Sequence, residues 1–318
     1  MFSVTAKNED GFDKIVLRDE SSETSAELLP ACGAILHAFT VRHNGAILNM
    51  IDNYSSAADF KKNVTGQGFK SCKLSPFACR INNGRYRFAG KEYTIEKFML
   101  GEHALHGLLF DAVFSVTGQH ADEEKATITM LHEYRATDKG YPFKYDCIVT
   151  YELRKDNSLG IITELVNKDD GIIPIQDGWH PYFTLGGKID DLQLEFQSNE
   201  MVEFDAGMIP TGKLSHYEEF GSLKKIGDKR FDNCFTVDLT ECQPLCVLRD
   251  AKKKLQIEIY PGASYPYLQL YTPPHRNSIA IENLSAAPDA FNNGMGLISL
   301  FPGLTAVFKT TYKITSLN

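Results

Sequence analysis

Only one tryptophan, Trp179, occurs in the 318-residue chain, and none of its seven cysteines sits in a C-x-x-C pair. A chain this long does not depend on disulfide staples. The odd cysteine count therefore reads as reduced thiols and points to a cytoplasmic protein. No apolar run is long enough to span a bilayer; the stretch 296–308 is too short and too broken. The opening MFSVTAKNEDGFDK reaches a charge by Lys7 with no apolar core behind it, so no secretory signal is expected. Asn63-Val64-Thr65 fits a glycosylation sequon, which carries little weight without such a signal. Basic residues are in deficit, 33 against 41 acidic, for a formal net charge of -8. Nucleic-acid binding needs a concentrated basic surface for counterion release, so nucleic acid is excluded as a partner. Docking on an anionic membrane is excluded for the same reason. Phosphate loops of the G-x-G-x-x-G and G-x-x-x-x-G-K-[ST] types are absent, as is the G-x-S-x-G nucleophile elbow.

What the chain does have is alternation with period two. Tyr145, Cys147, Val149, Tyr151 and Leu153 alternate with Asp146, Ile148, Thr150, Glu152 and Arg154. Leu255, Ile257 and Ile259 repeat the pattern, and Ala306, Phe308, Tyr312 and Ile314 share one face near the end. Such alternation marks half-buried antiparallel strands. Asn44-Gly45 lies between apolar runs, and Asn83-Gly84 and Ala89-Gly90 bracket Arg85–Phe88, as tight turns would. No amphipathic helix of twelve residues is visible; 55–62 suits a short one. At roughly 150 residues per domain the length suggests about two domains, but one large β domain also fits. No Pro/Gly/Ser-rich linker interrupts the chain. The reading is an all-β fold, a large antiparallel β-sandwich with few short helices, forming a single domain over 1–318.

Four segments set polar groups against aromatics and glycines: Pro76 to Tyr86 around Arg80, His103 to Gly107, Gly178 to Phe183, and Ile281 to Asn292. Taken singly, each has a plain explanation. An arginine beside a turn is usually a solvated charge, a histidine among apolar residues is usually a satisfied structural group, and a glutamate before a loop is usually surface. His103, His106 and His180 could be read as metal ligands, but the i, i+3 pair suits a helix and no carboxylate or cysteine cluster stands near. No metal is expected.

In this order and spacing the segments resemble the aldose 1-epimerase (galactose mutarotase) family over about Leu29 to Leu317. Arg80-Ile81 with Asn83-Gly84-Arg85-Tyr86 resembles its Arg-Ile and Asn-Gly-aromatic signature. Leu105-His106-Gly107 and His180 with Tyr182-Phe183 resemble its two histidine motifs. Ile209–Gly212, Phe231–Phe235 around Asp232, Gln269–Thr272, and Glu282 to Asn292 resemble further family segments. Leu108 stands where a second glycine is common, Cys79 where asparagine is common, and Trp179 and Pro181 flank the second histidine. These departures leave the preferred sugar open.

The resemblance implies the galactose mutarotase-like supersandwich and interconversion of the α and β anomers of an aldohexose such as glucose or galactose. That reaction moves protons at the C1 hydroxyl and the ring oxygen, so no cofactor is expected. One base and one acid must flank the sugar. Glu282 is implied as the base and His180 as the acid. Arg80, His106 and Asp232 are implied as substrate-binding residues. A carboxylate of reference pKa about 4.3 suits the base, and an imidazolium near 6.5 suits the acid. Trp179 or Tyr182 could cover the sugar's C–H face, or Trp179 could be core. Asp289 reads as a turn residue that places Glu282. The expected partner is a small sugar, with the chain acting as a monomer or homodimer. Two alternatives stay open. One is a hexose-6-phosphate 1-epimerase, with Lys70, Lys73, Arg85 or Arg87 on the phosphate. The other is a non-catalytic carbohydrate-binding protein of the same fold.

Overall fold

The computed structural model describes residues 1–240 and 243–317. The alternating segments are strands at the expected places: Lys144–Arg154, Leu255–Pro261 and Thr305–Ser316. About 51% of the chain is strand and 5% helix, which places it among the all-β folds. The short helix spans Ala57–Asn63. Ser56 caps it by accepting a hydrogen bond from the Asp59 amide, and Lys61 and Lys62 close its last turn.

Two large antiparallel sheets carry the architecture. In one, nine described strands run in the order Ser115–Ala121, Lys125–Arg135, Lys144–Arg154, Ser158–Asn167, Thr305–Ser316, Leu255–Pro261, Cys246–Asp250, Gln193–Phe196, Lys224–Lys225. In the other, the order is Pro210–His216, Glu200–Phe204, Asp232–Thr236, Tyr267–Tyr271, Ile279–Leu284, Gly178–Trp179, Lys73–Leu74, with Tyr182–Phe183 also pairing to Ile279–Leu284. Phe183 against Tyr312 and Phe196 against Phe235 join the two sheets, with ring centroids 5.1 and 4.8 Å apart. A third sheet of five strands, Phe2 to Asn49, is tied to the first by a hydrogen bond from the Tyr151 hydroxyl to the Ala34 carbonyl. One buried apolar cluster runs from Phe2 to Ile314.

Strand parity in the second sheet decides what faces the core. Phe235, Leu268, Leu270, Ile279, Ile281, Trp179 and Phe183 all join the apolar cluster. Their neighbours Asp232, Gln269, Tyr271, Glu282, His180 and Tyr182 point to the opposite face. The six described cysteines are free; Cys242 lies outside the described residues. Among the described residues no helix is long and apolar enough to cross a membrane.

Candidate active site

The sheet register builds the site. Cys234 pairs with Gln269, and Gln269 with Glu282. Gly178 pairs with Leu284 and Tyr182 with Ala280, so His180 falls opposite Glu282 where Pro181 interrupts the ladder. The His180 backbone is held from the far side: its amide donates to the Cys72 carbonyl at 3.1 Å and its carbonyl accepts from Ser71 at 2.8 Å. The carboxyl and the imidazole thus project side by side from adjacent strands, which corrects the expectation that base and acid stand on opposite sides of the sugar. His180 Nε2 lies 3.3 Å from Glu282 Oε1, both side chains almost fully buried.

Two further segments lie over this face. Arg80–Ile81 pairs with His103–Leu105 through Leu105 against Arg80. His106 follows at φ 61°, its amide bonded to the Cys79 carbonyl at 3.0 Å. The next residue must be glycine: Gly107 has φ +77°, and a Cβ there would stand 2.4 Å from the Ser75 carbonyl oxygen. His106 and His180 meet edge to face at 4.9 Å, and Tyr182 stacks on His180 at 5.0 Å.

Together these elements enclose a cavity of about 320 Å³, at the small end of the range for small-molecule sites. Glu282, His180, Arg80, His106 and Asp232 all line it, so the five residues singled out in the sequence converge on one hollow. Gln269, Tyr271, Cys79, Phe69 and Leu105 complete the wall, with Thr65, Gly66, Gly68, Leu100 and Tyr182. Gln269 and Tyr271 were not anticipated as site residues. The alternation of Tyr267–Tyr271 carried the signal, because both share a face with Asp232 and Glu282. Gln269 Nε2 donates to Asp232 Oδ1 at 3.2 Å. Among the described residues, four buried polar atoms around the cavity have no hydrogen-bond partner: Glu282 Oε2, His180 Nδ1, His106 Nδ1 and Gln269 Oε1. Buried polar atoms are normally satisfied, so this set suits a hydroxyl-rich ligand. A larger, more open depression of about 580 Å³ runs beside Asn199, Leu214 and Thr236, but it contains none of the buried acid–base groups.

Burial sets the charge state. It pushes the Glu282 carboxyl well above its ordinary range, with the Asp232 charge adding to the push. It holds the His180 imidazole down to about 3. His106 is driven well below its ordinary value by burial, then by His180 and Arg80. Asp232 is raised by burial, against the pull of Arg80. Both shifts favour a protonated carboxyl beside a neutral imidazole over the carboxylate and imidazolium that reference values suggest.

Other expectations are corrected by the same geometry. Trp179 faces the core: its Nε1 donates to Thr163 Oγ1 at 3.3 Å, and Tyr182 alone of the two reaches the cavity. His103 turns away, its Nδ1 accepting from the Asn83 amide at 3.1 Å. Asp289 serves Arg80 rather than Glu282. Its amide donates to the Arg80 carbonyl at 2.9 Å, and its carboxylate accepts from the Asn82 amide at 2.9 Å and the Asn292 side chain at 2.7 Å. Asn83-Gly84 forms a short 3-10 turn, Asn82–Gly84, whose first amide bonds this aspartate. Lys70 pairs with Asp52 at 2.7 Å and Lys73 is buried against Asp177. Among the lining residues Arg80 is the only lysine or arginine.

Two stacked antiparallel sheets, with a carboxyl–imidazole pair on the face of one that turns from the core, define a galactose mutarotase-like sandwich. The chain belongs to the aldose 1-epimerase family, whose sequence profile matches residues 13–313. It is 28% identical over 248 residues to the uncharacterized protein YihR of Escherichia coli K12, covering 72% of this chain and 74% of that one. It is 26% identical over 248 residues to an aldose 1-epimerase of Streptococcus thermophilus, covering 72% and 69%. In fold it matches a galactose mutarotase-like protein from Clostridium acetobutylicum, with TM-score 0.86, 16% identity and 99% of each chain covered. A galactose 1-epimerase from Lactobacillus acidophilus matches with TM-score 0.82 and 19% identity, over 100% of this chain and 99% of that one.

Proposed function

We propose that the protein is an aldose 1-epimerase acting on a neutral aldohexose such as glucose or galactose, with Glu282 as base and His180 as acid. The observation that carries this reading is the 3.3 Å approach of His180 and Glu282 in a cavity with unpartnered polar atoms. The reactive form arises when the carboxyl proton passes to the imidazole, which leaves the proton count of the pair unchanged. Glu282 then takes the proton of the C1 hydroxyl as the bond from C1 to the ring oxygen breaks. His180 gives its proton to the ring oxygen, and the open-chain aldehyde forms. Rotation about C1–C2 presents the other face, and the same transfers in reverse close the ring. Two protons move and no electrons, so the chemistry calls for no redox cofactor. Arg80 and His106 bond the ring oxygen region and hydroxyls, Asp232 accepts from hydroxyls, and the Tyr182 and Phe69 rings suit a C–H face.

The phosphorylated-hexose reading has little support, since Lys70, Lys73, Arg85 and Arg87 are absent from the cavity lining. A binding module would not need the carboxyl–imidazole pair. Polarimetry on freshly dissolved α-glucose, α-galactose and other aldoses tests the proposal. The enzyme should speed relaxation well beyond the spontaneous rate for at least one neutral aldose. No acceleration with any aldose would overturn it.

A further inference from the structure

Directly behind His180, on the core side of its strand, lies an ion pair that the proposed chemistry does not use. Lys73 and Asp177 are both fully buried, with Nζ 2.5 Å from Oδ1. Lys73 Nζ also donates to the Gly178 carbonyl at 3.0 Å and stands 4.6 Å from the centre of the Trp179 ring. The Tyr265 hydroxyl donates to Asp177 Oδ2 at 2.8 Å, and the Asp177 amide donates to Ser285 Oγ at 2.8 Å. Folding alone does not call for such a pair, because apolar groups of similar volume often serve a core as well or better. What the pair does touch is the alignment of a very short strand. Gly178–Trp179 contributes two residues to the sheet, Trp179 pairing with Lys73. A slip of one residue would send Trp179 into the cavity and His180 into the core, since successive side chains face opposite ways.

We infer that Lys73 and Asp177 are positioning residues that lock the register of strand Gly178–Trp179 and so hold the His180 imidazole at Glu282. Charge on Lys73 reaches Asp177, the Gly178 carbonyl and the Trp179 ring together, and this combination is available in one register only. The catalytic part of the inference rests on His180 being the acid. The register part does not.

The test is the double variant K73M/D177N, which removes both charges and strands neither. Lost alignment should lower kcat about 10- to 100-fold, the scale expected when a reacting group is slightly misplaced. KM should stay within about threefold, and the melting temperature should show a folded protein. Trp179, the chain's one tryptophan, gives an independent readout. Its emission should become quenchable by acrylamide, because a ring that leaves the core meets solvent, whereas removal of the Lys73 charge beside the ring by itself only shifts the wavelength. Unchanged kcat and unchanged quenching would overturn the inference. Should the double variant not fold, Tyr265→Phe decides. Removal of its bond to Asp177 should lower kcat at constant KM, and an unaltered kcat would refute the lock. His180→Asn run alongside separates the two claims: if it stays fully active, the acid assignment fails, while the quenching of K73M/D177N still reports on the register.

Discussion

Replacing Glu282 by glutamine keeps the size and shape of a side chain that is 1% exposed and removes its ability to accept a proton. Among the described residues Glu282 Oε2 has no hydrogen-bond partner and Oε1 lies 3.3 Å from His180 Nε2, while Asp232, the other carboxyl of the cavity, accepts from Gln269 Nε2 at 3.2 Å. A positioned proton transfer contributes about 10²- to 10⁴-fold. At about 1.36 kcal/mol per decade this is about 2.7–5.4 kcal/mol of barrier. Burial of the Glu282 and His180 side chains limits replacement by bulk water, so the upper half of that range is expected. The assay is polarimetric relaxation of a fresh α-aldose, with the spontaneous rate subtracted and sugar binding measured separately. Binding should change little, because the amide retains a hydrogen-bonding oxygen. Stability supplies a control whose sign follows from linkage. The folded carboxyl holds its proton above its ordinary value of 4.5, so the wild type loses stability as pH rises through that window. Glutamine does not titrate, and the stability of E282Q relative to wild type should therefore grow with pH. A folded E282Q that kept more than about a tenth of the wild-type rate would refute the base assignment, since even the low end of the range predicts a hundredfold loss.

Three further outcomes follow from the geometry. The pH profile of kcat/KM should take its acid limb from His180, held down to about 3, and its alkaline limb from Glu282, raised above its ordinary range. Activity falling away below about pH 6.5 would show that the pair is not held neutral in the free enzyme. Asp289→Ala should raise KM by about tenfold and cost about 1–3 kcal/mol of stability, because it frees the Asn82 amide and the turn that carries Arg80; titration calorimetry and thermal melts check both. Gly68→Ala places a Cβ 2.3 Å from the Tyr182 hydroxyl at a φ of +80°, so it should weaken sugar binding with little change in kcat, and unchanged binding would show that Tyr182 does not shape the cavity.

Much of the scaffold was legible because alternation survives wherever one strand face is buried. Residues 145–153 and 255–259 announced their strands directly, and Ser55 to Lys62 announced a helix that Ser56 caps. The five site residues were reachable through motif resemblance, and the cavity gathers all five. Three things were not legible. Whether Trp179 or His180 faced the ligand depends on the parity of a two-residue strand, too short to show a pattern of its own. Lys73 reads only as a candidate phosphate ligand until its partner, more than a hundred positions away, is known. Which member of the Glu282–His180 pair is favoured to carry the proton follows from desolvation, a property of the folded surroundings that residue type alone does not carry.

The paired carboxyl and imidazole stand opposite each other on adjacent segments of one sheet, whereas Thr65, Gly66, Gly68 and Leu100 belong to connecting turns and a small hairpin. On the proposed chemistry, reaction and selectivity fall to separate mechanical parts. Exchanging the rim segments between relatives should retune which sugar is accepted while leaving proton transfer intact, which makes those segments the natural place to begin redesign.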